Sequence, residues 1–316
     1  MNRYFYYIII GFLSLISEKA LAQDVQSHKF PYVGSANNIP CSFNPNTREL
    51  MVCGFETDGK GWFWFAGGEP LEVACFEGTK QVWRRAIPEC VAKKGMMQLH
   101  GDSLYIVDDV HHALYVLQAG GRGDVRRTPI SYPASAGKAR ITGGSFSGGW
   151  TDDGFYITYS RPVIEASGDP SFWHTHTWFY DYAGNTLPHD YTDKNSSHLP
   201  ENLRLYVEDK TIDDQSQYYK GQFASCQVYV GRVGEKKTVS LYNNQGKVVH
   251  RSAVVPNGSK PLEVIAVILD QEAHLPTPNF DLLRNNRIFS LGYIPGGSKS
   301  SGHVVVYEYK LPTTGL

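Results

Sequence analysis

The stretch "ELMVCGFETDGKGWFWFAGGEPLEV", residues 49–73, sets two apolar runs on either side of the hexapeptide "ETDGKG". Aromatic and β-branched residues suit a pleated, half-buried strand, whereas Gly, Asp and Lys punctuate turns, so the stretch reads as a hairpin. The same arrangement recurs along the chain. "SLYIV" precedes "ALYVLQAGGRGDV" across "DDVHH", and "FYITYS" precedes "WFYDYAGNTL" across the longer "RPVIEASGDP". "CQVYVGR" precedes "VSLYNNQGKVV" across "VGEKK", and "RIFSLGYI" precedes "HVVVYEYKL" across "PGGSKSSG". The second strands end near Phe65, Gln118, Tyr182, Asn243 and Tyr309, at intervals of 53, 64, 61 and 66 residues. Between them lie further strand candidates, including "QVWRRAI", "NLRLYVED" and "PLEVIAVIL".

A hairpin with one or two extra strands cannot bury both of its faces alone, and stacking on neighbours of the same kind solves that problem. Five such units resemble the blades of a β-propeller; the resemblance is to propeller repeats in general and spans most of the mature chain. It implies an all-β fold with residues 23–316 forming a single propeller domain of five blades. Six blades result if the segment 202–221 forms its own, and a β-sandwich or paired β-domains is the alternative architecture. The unit is longer than the roughly 40–45 residues of a WD40 blade, which calls for long loops. If "VVVYEYKL" is a third strand, the outermost strand of its blade must come from elsewhere. The segment "HKFPYVGS", residues 28–35, is placed to supply it and clasp the ring shut. No W-D signature occurs, and "ETDGKGWFW" and "TDDGFYITY" miss the spacing of a sialidase-type Asp box.

The first 22 residues are set aside. Arg3 is followed by the short apolar run "YFYYIIIGFLSLI" and by "ALAQ" at Ala20–Gln23, the pattern of a signal peptide cleaved after Ala22. The run is shorter than the ~20 residues of a membrane-spanning helix, and no later stretch is long and apolar enough to span. A secreted or periplasmic protein follows. Without Arg3, Glu18 and Lys19, 28 basic and 30 acidic residues remain, which gives no electrostatic reason to expect nucleic acid or an anionic membrane as partner.

In an exported chain the five cysteines are free to oxidise. Cys41 and Cys53 bracket "SFNPNTRELMV"; with the turn at Asn-Pro-Asn-Thr they face each other, at a separation a disulfide can span. Cys75–Cys90 would close the next loop. Cys226 is left over as a buried small apolar residue. There is no C-x-x-C.

The densest chemistry lies in "SFWHTHTWFYDYAGN", residues 171–185. His174 and His176 are two apart and share one face of a strand, together with Phe172, Trp178 and Tyr180. Zinc would need a third ligand, which is not identifiable, so an aromatic ladder is expected rather than a metal site. Asp and His in "DDVHH" (108–112) are ordinary turn residues. The acids Asp152, Asp153, Glu165, Asp169 and Asp181 gather around the third unit, and two carboxylates across a sugar would make a glycoside hydrolase. "GGSFSGG" is not a G-x-S-x-G elbow, and "GGRGDV" is neither a Walker motif nor a dinucleotide fingerprint. No metal or cofactor is expected. The leading expectation is a monomeric binding protein that recognises a protein partner or a glycan through an aromatic-lined loop rim, without catalysis. Its candidate contacts are Trp150, Asp153, Arg161, Trp173, His174 and His176, around the loop Arg161–Pro170. The alternative is a carbohydrate-active hydrolase using Asp and Glu in the propeller channel.

Overall fold

A computed structural model describes residues 25–32, 37–44, 49–91, 96–108, 110–131, 145–151, 153–164, 170–188, 218–233, 236–253, 260–261, 282–294 and 302–312. All regular structure among them is strand. The strands form five small antiparallel sheets in chain order, plus a short hairpin of β2 (Ser42–Asn44) and β3 (Glu49–Met51).

The first sheet runs β4 (Gly54–Thr57), β5 (Trp62–Gly67), β6 (Leu71–Glu77), β7 (Lys80–Ile87), and the second runs β8 (Met97–His100), β9 (Ser103–Asp108), β10 (Ala113–Gln118), β11 (Arg126–Pro129). The third joins β12 (Ser145–Trp150), β13 (Gly154–Ile164) and β14 (Pro170–Asp181). The fourth joins β15 (Tyr218–Phe223), β16 (Cys226–Val233), β17 (Lys236–Tyr242) and β18 (Val248–Ala253). In the fifth, β19 (Lys260–Pro261) and β20 (Leu282–Arg284) flank β21 (Arg287–Ile294), which pairs with β22 (His303–Lys310), and β1 (Val25–Pro31) adds on the far side. Sheet after sheet in up-and-down order, the last completed by the N-terminal strand, is the topology of a five-bladed β-propeller.

The clasp is as the sequence implies. β1 pairs antiparallel with β22 along its whole length, from Val25 opposite Tyr309 to Pro31 opposite His303. The repeat is corrected in one respect. In four sheets the matched hairpin is the second and third strands, but "WFWF" is the second strand of the first sheet. That one-strand offset explains the short first interval of 53 residues.

Burial explains the strand composition. β5 and β22 are buried along almost their whole length, as central strands covered on both faces must be, while the outer β7 alternates between exposed and half-buried positions. The described residues fall into two compact units, one holding sheets one to three and the other sheets four and five. In the former, one apolar layer joins Trp64, Val73 and Cys75 of the first sheet to Leu104, Ile106 and Tyr115 of the second. A second layer joins Val107, Leu114 and Val116 to Phe155, Ile157 and Tyr180 of the third. In the other unit, Val228, Val230 and Leu241 pack with Ile288, Val305 and Tyr307.

Both expected disulfides are absent; all five cysteines are free thiols. The register shows why. Ser42 lies opposite Met51, so the β2–β3 ladder reaches Cys41 out of step with Cys53, whose backbone N–H instead donates to Ala66 O of the first sheet at 2.7 Å. Cys75 faces Trp83 on β7, and Cys90 lies three residues beyond that strand's end. Burial pushes the Cys75 thiol up to about 12 and the Cys41 thiol up to about 11, which keeps both protonated. Cys226 is buried in an apolar cluster, as expected.

Candidate functional site

At one end of the second and third sheets, four rings from separate strand ends converge. His100 closes β8 and Tyr105 lies on the adjoining β9; Trp150 closes β12 and Tyr182 follows β14. Tyr182 is the hub. Its ring lies 4.0 Å from His100, near-parallel at 21°, and 4.8 Å from Tyr105. Trp150 is 6.2 Å away and almost parallel, at 13°. The Tyr182 hydroxyl donates to Thr151 O at 3.2 Å, which fixes the ring.

Backbone geometry holds these parts in place. Gly154 opens β13 opposite Asp181, where a Cβ would sit 1.9 Å from Tyr180 O, so only glycine allows the two strands to approach there. Behind Trp150, a Cβ on Gly149 would meet the Tyr156 hydroxyl at 2.6 Å. The Asp181 carboxylate organises the turn that follows, accepting the backbone N–H groups of Ala183 and Asn185 at 2.9 and 2.8 Å and the Asn185 side chain at 3.0 Å. Beneath the rings, burial pushes the Tyr180 hydroxyl up to about 12, and it donates to Ser131 O at 3.2 Å.

Exposure sets this cluster apart. His100 is exposed, and Tyr105, Trp150 and Tyr182 are half-buried, whereas Tyr115, Tyr180, Tyr229 and Tyr242 are less than 2 % exposed. Polar groups border the rings. Asp102 and Asp153 are exposed in the β8–β9 and β12–β13 turns. The Thr151 hydroxyl is buried and has no hydrogen-bond partner among the described residues.

The sequence candidates do not form one group. Trp150 and Asp153 lie at the ring-cluster end of the third sheet. Arg161, Trp173, His174 and His176 lie toward its other end. Arg161 is opposite His174, Pro162 opposite Trp173, and Tyr159 opposite His176. Arg161 is six residues along β13 from Phe155, the partner of Trp150, or about 20 Å at the rise of a strand. The segment read as the loop Arg161–Pro170 is shorter than expected, because β13 continues to Ile164 and β14 begins at Pro170. β12 ends its pairing at Ser145 opposite Ser160, so beyond that point β13 and β14 form a two-stranded arm. Pro162 is tolerated there, since its missing N–H has no third strand to bond. The expectation that Trp178 and Tyr180 pack between sheets holds, with both in the layer between the second and third. Asp152, Glu165, Asp169 and the leader lie outside the described residues.

"DDVHH" resolves as a structural turn. Asp108 is buried, and its carboxylate accepts the N–H groups of Val110 and His111, both at 2.9 Å, and of Val91 at 2.8 Å. His111 Nδ1 lies 2.8 Å from the same carboxylate. The Arg122-Gly-Asp124 tripeptide is exposed after β10, with the Gly123 carbonyl accepting from Arg85 Nη1 at 2.6 Å.

His100, Tyr105 and Tyr182 escaped the sequence reading as site residues. Only sheet-on-sheet packing brings positions up to 82 residues apart together, and no local pattern encodes it.

No family model and no curated protein matches the chain. Similar solved structures include a protein from Bacteroides fragilis described as exported, at 6 % identity and a TM-score of 0.34, covering 90 % of this chain and 95 % of that one. Apo AztD from Citrobacter koseri matches at 11 % identity and a TM-score of 0.33, covering 92 % and 95 %. A streptogramin B lyase matches at 10 % identity and a TM-score of 0.30, covering 93 % and 76 %. Likeness at this level supplies no functional argument. No helix among the described residues is long and apolar enough to cross a membrane.

Proposed function

We propose that this chain is an exported β-propeller that holds a ligand without turning it over, and that the ring cluster of His100, Tyr105, Trp150 and Tyr182 is its contact surface. The observation that carries the reading is the exposure of these stacked rings in a chain that otherwise buries its large aromatics at the strand centres. Aromatic rings on a rigid scaffold offer large contact area at low entropic cost, and anchors of this kind dominate recognition surfaces. The sheets fix the rings before any ligand arrives, which spares the cost of ordering them. The leader at residues 1–22 supports export to the periplasm or beyond the cell. Non-catalytic binding is further supported by the carboxylates of Asp108 and Asp181, each saturated by turn hydrogen bonds rather than free to act as acid or base. Arg161, Trp173, His174 and His176 belong to a separate contact on the β13–β14 arm.

The test is retention of the mature chain, residues 23–316, on an immobilised cell-surface extract that contains both glycan and protein. Retention of the parent, lost in the His100→Ala/Trp150→Ala double variant with an unchanged circular dichroism spectrum, is the expected result. Equal retention by the two proteins, or release of cleaved products from the extract, overturns the reading.

A further inference from the structure

The ring cluster also specifies a ligand class. We infer that it takes a neutral pyranoside, an inference that rests on the binding role proposed above and deepens it.

Size argues first. A stable protein interface buries about 800 Å² on each partner. Three of the four rings here are half-buried, and the exposed large hydrophobics among the described residues are the valines Val82, Val91 and Val249, none of them in this cluster. A surface of that extent suits one or two sugar rings better than a protein face. Shape argues next. Trp150, Tyr182 and His100 stand near-parallel, at 13° and 21° to the hub, so they present ring faces in one orientation. The apolar C–H face of a pyranose lies flat on such faces, while its hydroxyls point outward to polar groups.

Those polar groups are present. The Asp153 carboxylate lies in the same turn as Trp150, and Asp102 is two residues from His100; both are exposed and accept hydrogen bonds from hydroxyls. The buried Thr151 hydroxyl has no partner among the described residues, and it belongs to the residue whose carbonyl anchors Tyr182. A buried hydroxyl left unsatisfied costs about 1–3 kcal/mol, which a donor from a ligand or a water carried with it recovers. The two acids also set the charge preference. They repel sulfated, phosphorylated or uronic-acid glycans and leave neutral sugars as the favoured class.

The experiment is calorimetric and intrinsic-fluorescence titration of the mature chain with neutral oligosaccharides of glucose, mannose, galactose, xylose and N-acetylglucosamine. A sulfated glycan and polygalacturonate serve as anionic probes. Saturable binding of at least one neutral saccharide is expected, weakened at least tenfold in His100→Ala and in Trp150→Ala. Trp83→Ala, whose indole donates to Ala119 O away from the rings, binds as the parent does. Thr151→Val and Asp153→Asn weaken binding without changing the melting temperature by more than a few degrees. No saturable binding of any neutral saccharide overturns the inference, as does preference for the anionic probes or indifference to His100→Ala. If the saccharides fail while retention on the surface extract persists, is protease-sensitive and still needs His100 and Trp150, the sugar assignment falls and the binding role stands.

Discussion

Asp108 shows how a residue that looks chemical can be architectural. A carboxylate beside two histidines suggests a metal ligand or a base, yet here it is buried and holds three backbone N–H groups together with His111. One of those N–H groups, from Val91, belongs to the segment that follows the first sheet, so the side chain pins that segment to the second. Replacing Asp108 with Ala strands three donors away from water. Hydrogen bonds to a charged group contribute about 1.5–3 kcal/mol each and are not additive, so a loss of about 3 kcal/mol is expected in urea unfolding. Asp108→Asn, which keeps an acceptor for Val110 and His111, should lose less. Equal stability of the alanine variant and the parent would contradict the assigned role. The cysteines carry the same lesson in reverse. Spacing alone suggested two bridges, but pairing is decided by register, and register places Trp83, not Cys90, across from Cys75.

Single strands and hairpins were the most legible level. Alternation and turn residues marked the paired strands of every sheet, because period-two burial is written directly into the sequence. The lengths of β13 and β14 were not legible. "RPVIEASGDP" looks like a loop through its prolines, acid and glycine, yet its first four residues continue a strand whose open side needs no donor from Pro162. The arm beyond Ser160 is two-stranded, and such ribbons are marginally stable by themselves. Replacing Pro162–Trp173 with Asn-Gly would close Arg161 to His174 through a two-residue turn. The melting temperature should then stay within a few degrees of the parent, and binding at the ring cluster should be unchanged. A drop of ten degrees or more would show that the arm supports the fold. The ring cluster itself was illegible beyond Trp150 and Asp153, because its members meet only when the second and third sheets stack.

The fifth sheet ties the two ends of the chain together. Glu308, buried on β22, receives Arg287 from β21 on one side and lies 3.0 Å from His28 Nε2 of β1 on the other. The His28 contact, reinforced by the Arg287 guanidinium, holds the Glu308 carboxyl below its usual range despite burial, which acts in the opposite direction. A carboxylate whose pKa is lower in the folded state contributes stability above its unfolded value, about 4.3, and loses it as pH falls through the folded value. The stability advantage of the parent over Glu308→Gln should therefore be full at neutral pH and shrink as pH falls below about 4.3, read from urea midpoints across the range. Parallel curves would remove Glu308 as the acid-sensitive group. The clasp also has a consequence in time. His28 and Glu308 are 280 residues apart, so the ribosome makes the closing strand first and its partner almost last. At roughly 5–20 residues per second, β1 waits on the order of 15–60 s without the edge it is shaped to fit. Joining ends that far apart costs about 5 kcal/mol in chain entropy before a single bond of the ladder forms. Whatever guards a nascent chain from premature pairing or proteolysis must therefore guard this one at its very front, from the first seconds of synthesis to the last.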